Sequence, residues 1–130
     1  MNHILVVEDE NWLAMELAWL VQEAGYAVLG PERSVAEAQK VLGRVKIDLA
    51  LLDIRLGSET VFPILEMLED KGIPFIFITG NPDLLPAEYS GRPWVAKPWA
   101  TSTLLSLIPQ VLDAKGHPNA TGLRLSLIHI

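Results

Sequence analysis

Short apolar runs alternate along the chain with stretches whose apolar residues recur at helical spacing. That alternation predicts βα units and a mostly parallel sheet. The runs are His3–Val7, residues 26–29, 47–52 and 74–78, and Trp94–Ala96. The third is apolar enough to be buried on both faces. After the first run, Leu13, Leu17, Leu20, Val21 and Ala24 place a helix over residues 11–24, and Gly25 is set to end it. Gly30-Pro31 reads as a turn after the second strand. Ser34-Val35-Ala36-Glu37 is a capping box, so a second helix starts there and runs to about Leu42. A loop over residues 53–59 leads to a third helix, residues 60–71, closed by Gly72. Three prolines, Pro82, Pro86 and Pro93, leave room for one short turn over residues 86–90. The last helix covers residues 101–115, with Pro109 expected to kink or split it. Gly116-His117-Pro118 then stops the domain.

Composition changes this picture little. The chain has 130 residues, half of them apolar and 20% charged. That suits one domain without a disulfide or metal staple, and we place it at residues 1–116. Cysteine is absent, which excludes disulfides and thiolate metal sites. A net charge of -6 argues against direct nucleic-acid binding. No apolar run approaches the ~20 residues of a membrane helix, and no basic leader precedes the first strand. A cytoplasmic protein without a membrane partner is the expectation. The remaining tail, residues 117–130, alternates Leu123, Leu125 and Leu127 with Arg124 and Ser126. It reads either as an edge-strand extension or as a non-native end, and no function is built on it.

Candidate chemistry gathers where the apolar runs end. Glu8 and Asp9 follow the first strand, Asp53 the third, Thr79 the fourth and Lys97-Pro98 the fifth. In an open parallel sheet, ligands bind beyond the carboxyl ends of the strands, so these residues are expected on one edge. Hard oxygen ligands suit magnesium. Asp53 can act as a carboxylate nucleophile forming an acyl phosphate. The Thr79 hydroxyl can donate to a phosphoryl oxygen beside the bare Gly80, and Lys97 can serve as a point charge for phosphate. A cis bond at Pro98 would aim the lysine. Each residue also has a plainer reading. Glu8-Asp9-Glu10 can simply open a helix, Asp53 can cap a loop, Thr79 can end a strand, and Lys97 can be solvated.

Together, in this order and spacing, Glu8-Asp9, Asp53, Thr79 and Lys97-Pro98 resemble the receiver domain of two-component response regulators, over residues 3–115. The resemblance implies a flavodoxin-like, doubly wound α/β fold. Its five parallel strands would run in order 2-1-3-4-5, flanked by five helices, the fourth short or irregular here. It implies phosphorylation of Asp53 by a histidine kinase or phosphotransfer protein. Mg2+ would be held by Glu8, Asp9, Asp53 and the backbone carbonyl of Arg55. Lys97 would contact the phosphoryl group, and Thr79 would move toward it and couple the site to the distal surface. The family's switch aromatic falls at Trp94, a bulkier indole than the usual ring, and Trp99 replaces a common Phe. Arg55 and Asn81 fall where the family tunes phosphoryl lifetime. Arg55 can pair with either the phosphoryl group or Glu59.

Trp12, Met15 and Trp19 form a second apolar stripe on the first helix, which would then be apolar almost all round. Core packing and partner or homodimer contact are both open readings of that stripe. His3, His117 and His129 show no metal-ligand spacing. The expectation is a stand-alone regulator with output by protein contact to an unknown target. It is not an enzyme for an external substrate, although it can speed its own phosphorylation and dephosphorylation. The rivals are a pseudo-receiver that is never phosphorylated and an aspartyl-nucleophile phosphatase. The phosphatase reading is weakened by Arg55, since such enzymes usually carry a second Asp at that position.

Overall fold

The structure, a computed structural model, describes residues 2–80, 82–97, 99 and 101–114, and Pro82 in its backbone alone. In chain order the elements are β1 (His3–Val7), α1 (Asn11–Glu23), β2 (Ala27–Glu32), α2 (Val35–Arg44), β3 (Leu49–Asp53), β4 (Arg55–Leu56), β5 (Glu59–Thr60), α3 (Phe62–Asp70), β6 (Phe75–Thr79), β7 (Trp94–Ala96) and α4 (Thr101–Ala114). Five strands pair in parallel in the order β2-β1-β3-β6-β7. With the short β4–β5 hairpin set aside, this is the expected order 2-1-3-4-5. The flavodoxin-like fold is therefore present.

The period-two alternation of each strand divides the core into two layers. Leu5, Val7, Ala50, Leu52, Phe75 and Phe77 face α2 and α3, against Ala38, Leu42, Ile64, Leu65 and Leu68. Ile4, Val6, Leu49, Leu51, Ile76 and Ile78 face α1 and α4, against Leu17, Val21, Leu104, Leu107, Ile108 and Val111. Every residue of β3 and β6 is buried. Strands covered on both faces must be apolar throughout, and the polar residues Asp53 and Thr79 come only at their ends.

Local capping sets where the helices begin. Glu10 caps α1, its carboxylate accepting from the Leu13 N–H at 2.8 Å. Ser34 Oγ accepts from the Glu37 N–H, while Glu37 Oε1 accepts from the Arg33 N–H. The expected capping box is therefore formed, with its return bond one residue further out.

The structure corrects four expectations. First, β2 continues through Gly30-Pro31 to Glu32. Gly30 has φ 97°, and a Cβ there would lie 2.8 Å from the Val6 carbonyl oxygen. The glycine marks a strand irregularity, where the register shifts between Leu5 and Val7, rather than a turn. Second, the loop after Asp53 is a hairpin. Leu56 pairs with Glu59 around Gly57-Ser58, with Gly57 at φ 65°. Third, four α-helices are present among the described residues rather than five. Two separate 3-10 turns, Pro82–Leu84 and Ala87–Tyr89, replace the fourth. The second is the expected turn, and the first was not anticipated. Pro86 is extended between them (φ -59°, ψ 150°) and stops either turn from growing. Fourth, α4 is one unbroken run despite Pro109. The helix is therefore not split there; Pro109 is exposed, while Ile108 and Val111 on either side of it are buried in the core.

Candidate functional site

Strand register brings the chemistry together. Val7 lies beside Leu52, so Glu8, one residue on, comes level with Asp53. Asp53 in turn pairs with Ile78, and Thr79 pairs with Ala96. The Lys97 N–H donates to the Thr79 carbonyl at 3.0 Å. Glu8, Asp53 and Thr79 are each buried, at 1%, 7% and 3% exposure. They are the polar exceptions in an otherwise apolar core.

The Lys97 ammonium bridges two carboxylates, 2.6 Å from Glu8 Oε1 and 2.9 Å from Asp53 Oδ2. Glu8 Oε1 is enclosed, and the Lys97 ammonium is the partner that neutralises it there. Glu8 Oε2 accepts from the Glu10 N–H, and Asp9 Oδ2 accepts from the Gly57 N–H at 2.7 Å. The unanticipated hairpin therefore positions an acidic residue of the site. Burial pushes Glu8 up to about 7, Asp53 adds to the rise, and Lys97 opposes it. For Lys97, burial acts downward, but hydrogen bonds to Glu8 and Asp53 outweigh it and the net direction is up.

Carboxylate oxygens of Glu8, Asp9 and Asp53 lie within 4.8 Å of one another. With all groups ionised, three negative charges meet one positive charge, leaving a surplus that a dication would cancel. An all-oxygen, partly buried acidic set fits Mg2+ by donor chemistry. A pocket of about 270 Å³ opens over these residues, lined by Asp9, Asp53, Arg55, Thr79, Leu84 and Lys97 among others.

The remaining sequence candidates divide. Arg55 lines the pocket, but Glu59 is engaged elsewhere, its Oε2 accepting from the Val35 N–H at the start of α2. Trp94 is half-buried against the α2–α3 layer, and Trp99 against the α1–α4 layer. Trp12, Met15 and Trp19 are 83%, 65% and 59% exposed. They are not core, which closes that reading of the stripe. Pro98, Asn81, the tail and its histidines lie outside the described residues, and the described cis peptide is Gly30–Pro31. Leu84 and Gly57 carry no motif or period that would have marked them as part of the pocket.

Residues 4–108 match the response regulator receiver domain. The chain belongs to that family. Receiver domains are signalling modules of two-component systems rather than classical enzymes. The chain is 34% identical over 116 residues to the phyllosphere-induced regulator PhyR of Methylorubrum extorquens, covering 85% of this chain and 43% of that protein. It therefore spans less than half the length of that relative. The receiver domain of Erythrobacter litoralis PhyR superposes with a TM-score of 0.76 at 32% identity, over 86% of this chain and 90% of that one. The anti-anti-sigma factor PhyR from Bartonella quintana gives 0.77 at 31% identity, over 88% and 49%. No helix among the described residues is long and apolar enough to cross a membrane.

Proposed function

We propose that this receiver is a phosphoacceptor whose nucleophile is Asp53. The observation that carries this reading is the convergence of Asp53 with Glu8, Asp9 and Lys97 beneath one pocket. A carboxylate oxygen of Asp53 attacks the phosphorus of a phosphohistidine on a histidine kinase or phosphotransfer protein. The N–P bond breaks, its electron pair stays with the imidazole, and an acyl phosphate remains. Glu8, Asp9, Asp53 and the Arg55 backbone carbonyl would hold Mg2+, which supplies charge neutralisation for the incoming phosphoryl oxygens. Lys97 stays protonated across the physiological range and shifts its ammonium toward the new phosphoryl oxygens. Thr79 donates its hydroxyl to one of them, and Trp94 reports the change to the outer surface. The protein contributes chiefly position and electrostatics, and acts in the cytoplasm.

Output is by protein contact. The outer face of α1 exposes Trp12, Met15 and Trp19, and an apolar patch of this kind marks an interaction surface. The helix carries Glu16 and Glu23 and no basic residue. Pairing it with a second copy would set acid against acid, which favours a different protein over a homodimer. The name of the Bartonella quintana relative points to sigma-factor control as one such output.

Incubation with acetyl phosphate and Mg2+, followed by intact-mass measurement, tests the assignment. One added phosphoryl mass is expected on the wild type and none on Asp53→Asn. No added mass on the wild type would favour the pseudo-receiver, a pure interaction module. Mass persisting on Asp53→Asn would mean another acceptor, and turnover of a generic phosphomonoester would revive the phosphatase.

A further inference from the structure

The loop Pro82–Tyr89 places two adjacent leucines in opposite environments. Leu85 packs against the α2–α3 core layer. Leu84 is 38% exposed and lines the pocket over Asp53. The core does not need Leu84, since its neighbour anchors the segment. Around it, the wall and floor carry Asp9, Asp53, Arg55, Thr79 and Lys97. A branched apolar side chain on the rim of a charged pocket offers no donor or acceptor to a water molecule there.

We infer that Leu84 is a hydrolysis shield, a residue that sets how long the phosphoryl group survives on Asp53. This rests on the phosphoacceptor reading above. In hydrolysis, a water oxygen attacks phosphorus and the bond from phosphorus to the Asp53 oxygen breaks. The electron pair returns to the carboxylate, and both water protons leave with dihydrogen phosphate. The step needs a water held against the phosphorus. The pocket has room for more than one water, so access is governed by what its rim can bind. The Leu84 side chain brings no hydrogen-bonding group to that part of the rim. The ammonium partner of Asp53 is Lys97 and the hydrogen-bond partner of Asp9 is the Gly57 N–H, so the proposed effect of Leu84 is on water and not on the acidic cluster.

The test follows the decay of phosphorylated protein by intact mass after the donor and free Mg2+ are exchanged for fresh Mg2+ buffer. Leu84→Ala and Leu84→Gln should lose the phosphoryl group about fivefold faster than wild type, a barrier change of about 1 kcal/mol. Leu84→Met, still apolar and of similar volume, should decay at the wild-type rate. Mg2+ affinity, measured by calorimetry on the unphosphorylated proteins, should be the same for all four. Equal half-lives for wild type, Leu84→Ala and Leu84→Gln would overturn the shield while leaving the acceptor assignment standing. A Leu84→Met half-life as short as that of Leu84→Ala, or loss of Mg2+ affinity in step with half-life, would also overturn it. Absence of any phosphoryl mass on the wild type would remove both proposals.

Discussion

The carboxyl edge of the sheet and the outer face of α1 invert the usual distribution of polarity in opposite senses. At the edge, two carboxylates and a threonine hydroxyl are buried. On α1, two tryptophans and a methionine face water only a few residues away in sequence. Burying charge costs several kcal/mol per ion unless it is paired, and here Lys97 pairs with two carboxylates while a third stays beside them. Exposed tryptophan forfeits the largest hydrophobic gain any side chain offers. Neither region is explained by stability. On the proposed function each has a missing neighbour, a cation and phosphoryl group at the edge and a protein surface on the helix.

Substitutions two residues apart on α1 give the sharpest contrast. Leu17→Ala, in the core, should cost about 3 kcal/mol in chemical denaturation. Trp19→Ser, on the same helix, should change stability by no more than about 0.5 kcal/mol, and the same holds for Trp12→Ser. A cost for Trp19→Ser near that of Leu17→Ala would mean that the exposed face is structural after all.

Lys97→Ala tests the buried edge. It leaves Glu8 and Asp53 facing each other without a counter-charge and should cost about 2 kcal/mol at pH 8. The cost should shrink on acidification, because Glu8, already pushed up to about 7, takes a proton readily. A penalty independent of pH would break the claim that the two carboxylates are electrostatically coupled.

The third prediction concerns protons and cations. The value for Glu8 of about 7 lies above its ordinary 4.5, so the folded state holds that proton more tightly than the unfolded one. The resulting stability is complete below about pH 4.5 and is lost as pH rises through about 7. Without Mg2+, wild type should therefore lose stability relative to Glu8→Gln across that window. Mg2+ competes with the proton, so its affinity by calorimetry should weaken as pH falls below about 7. A Mg2+ affinity that does not vary between pH 6 and 8 would separate Glu8 from the cation site.

The smallest expected effect is on the fold of Asp53→Asn. Removing one charge from a crowded acidic set should leave its thermal midpoint at or slightly above that of wild type, even as phosphoryl acceptance disappears. A clear drop would mean that Asp53 serves the fold as well as the proposed chemistry.

Much of this was legible from local pattern. β1 and β7 appear where the apolar runs place them, and β3 and β6 fall within two residues of theirs, because a strand buried on both faces admits polar residues only at its ends. The ends of α1 follow from Gly25 and the acidic residues after β1. The hairpin after Asp53 escaped notice because β4 and β5 have two residues each, too few to show a period. The partly exposed Leu84 side chain carries no pattern either, since its neighbour Leu85 is chemically identical and faces the core.

The order of apolar runs and the identity of the residue at the end of each were set by the chain alone, because burial on two faces is a local compositional demand. Which end residues meet was decided by the tertiary structure. Pairing of β1 with β3 brings Glu8 level with Asp53, and pairing of β6 with β7 brings Lys97 beside both, across 44 to 89 residues of chain that no local period can register. The same packing chose which stripe of α1 faces the sheet, since two apolar stripes competed and only one could be covered by the strands.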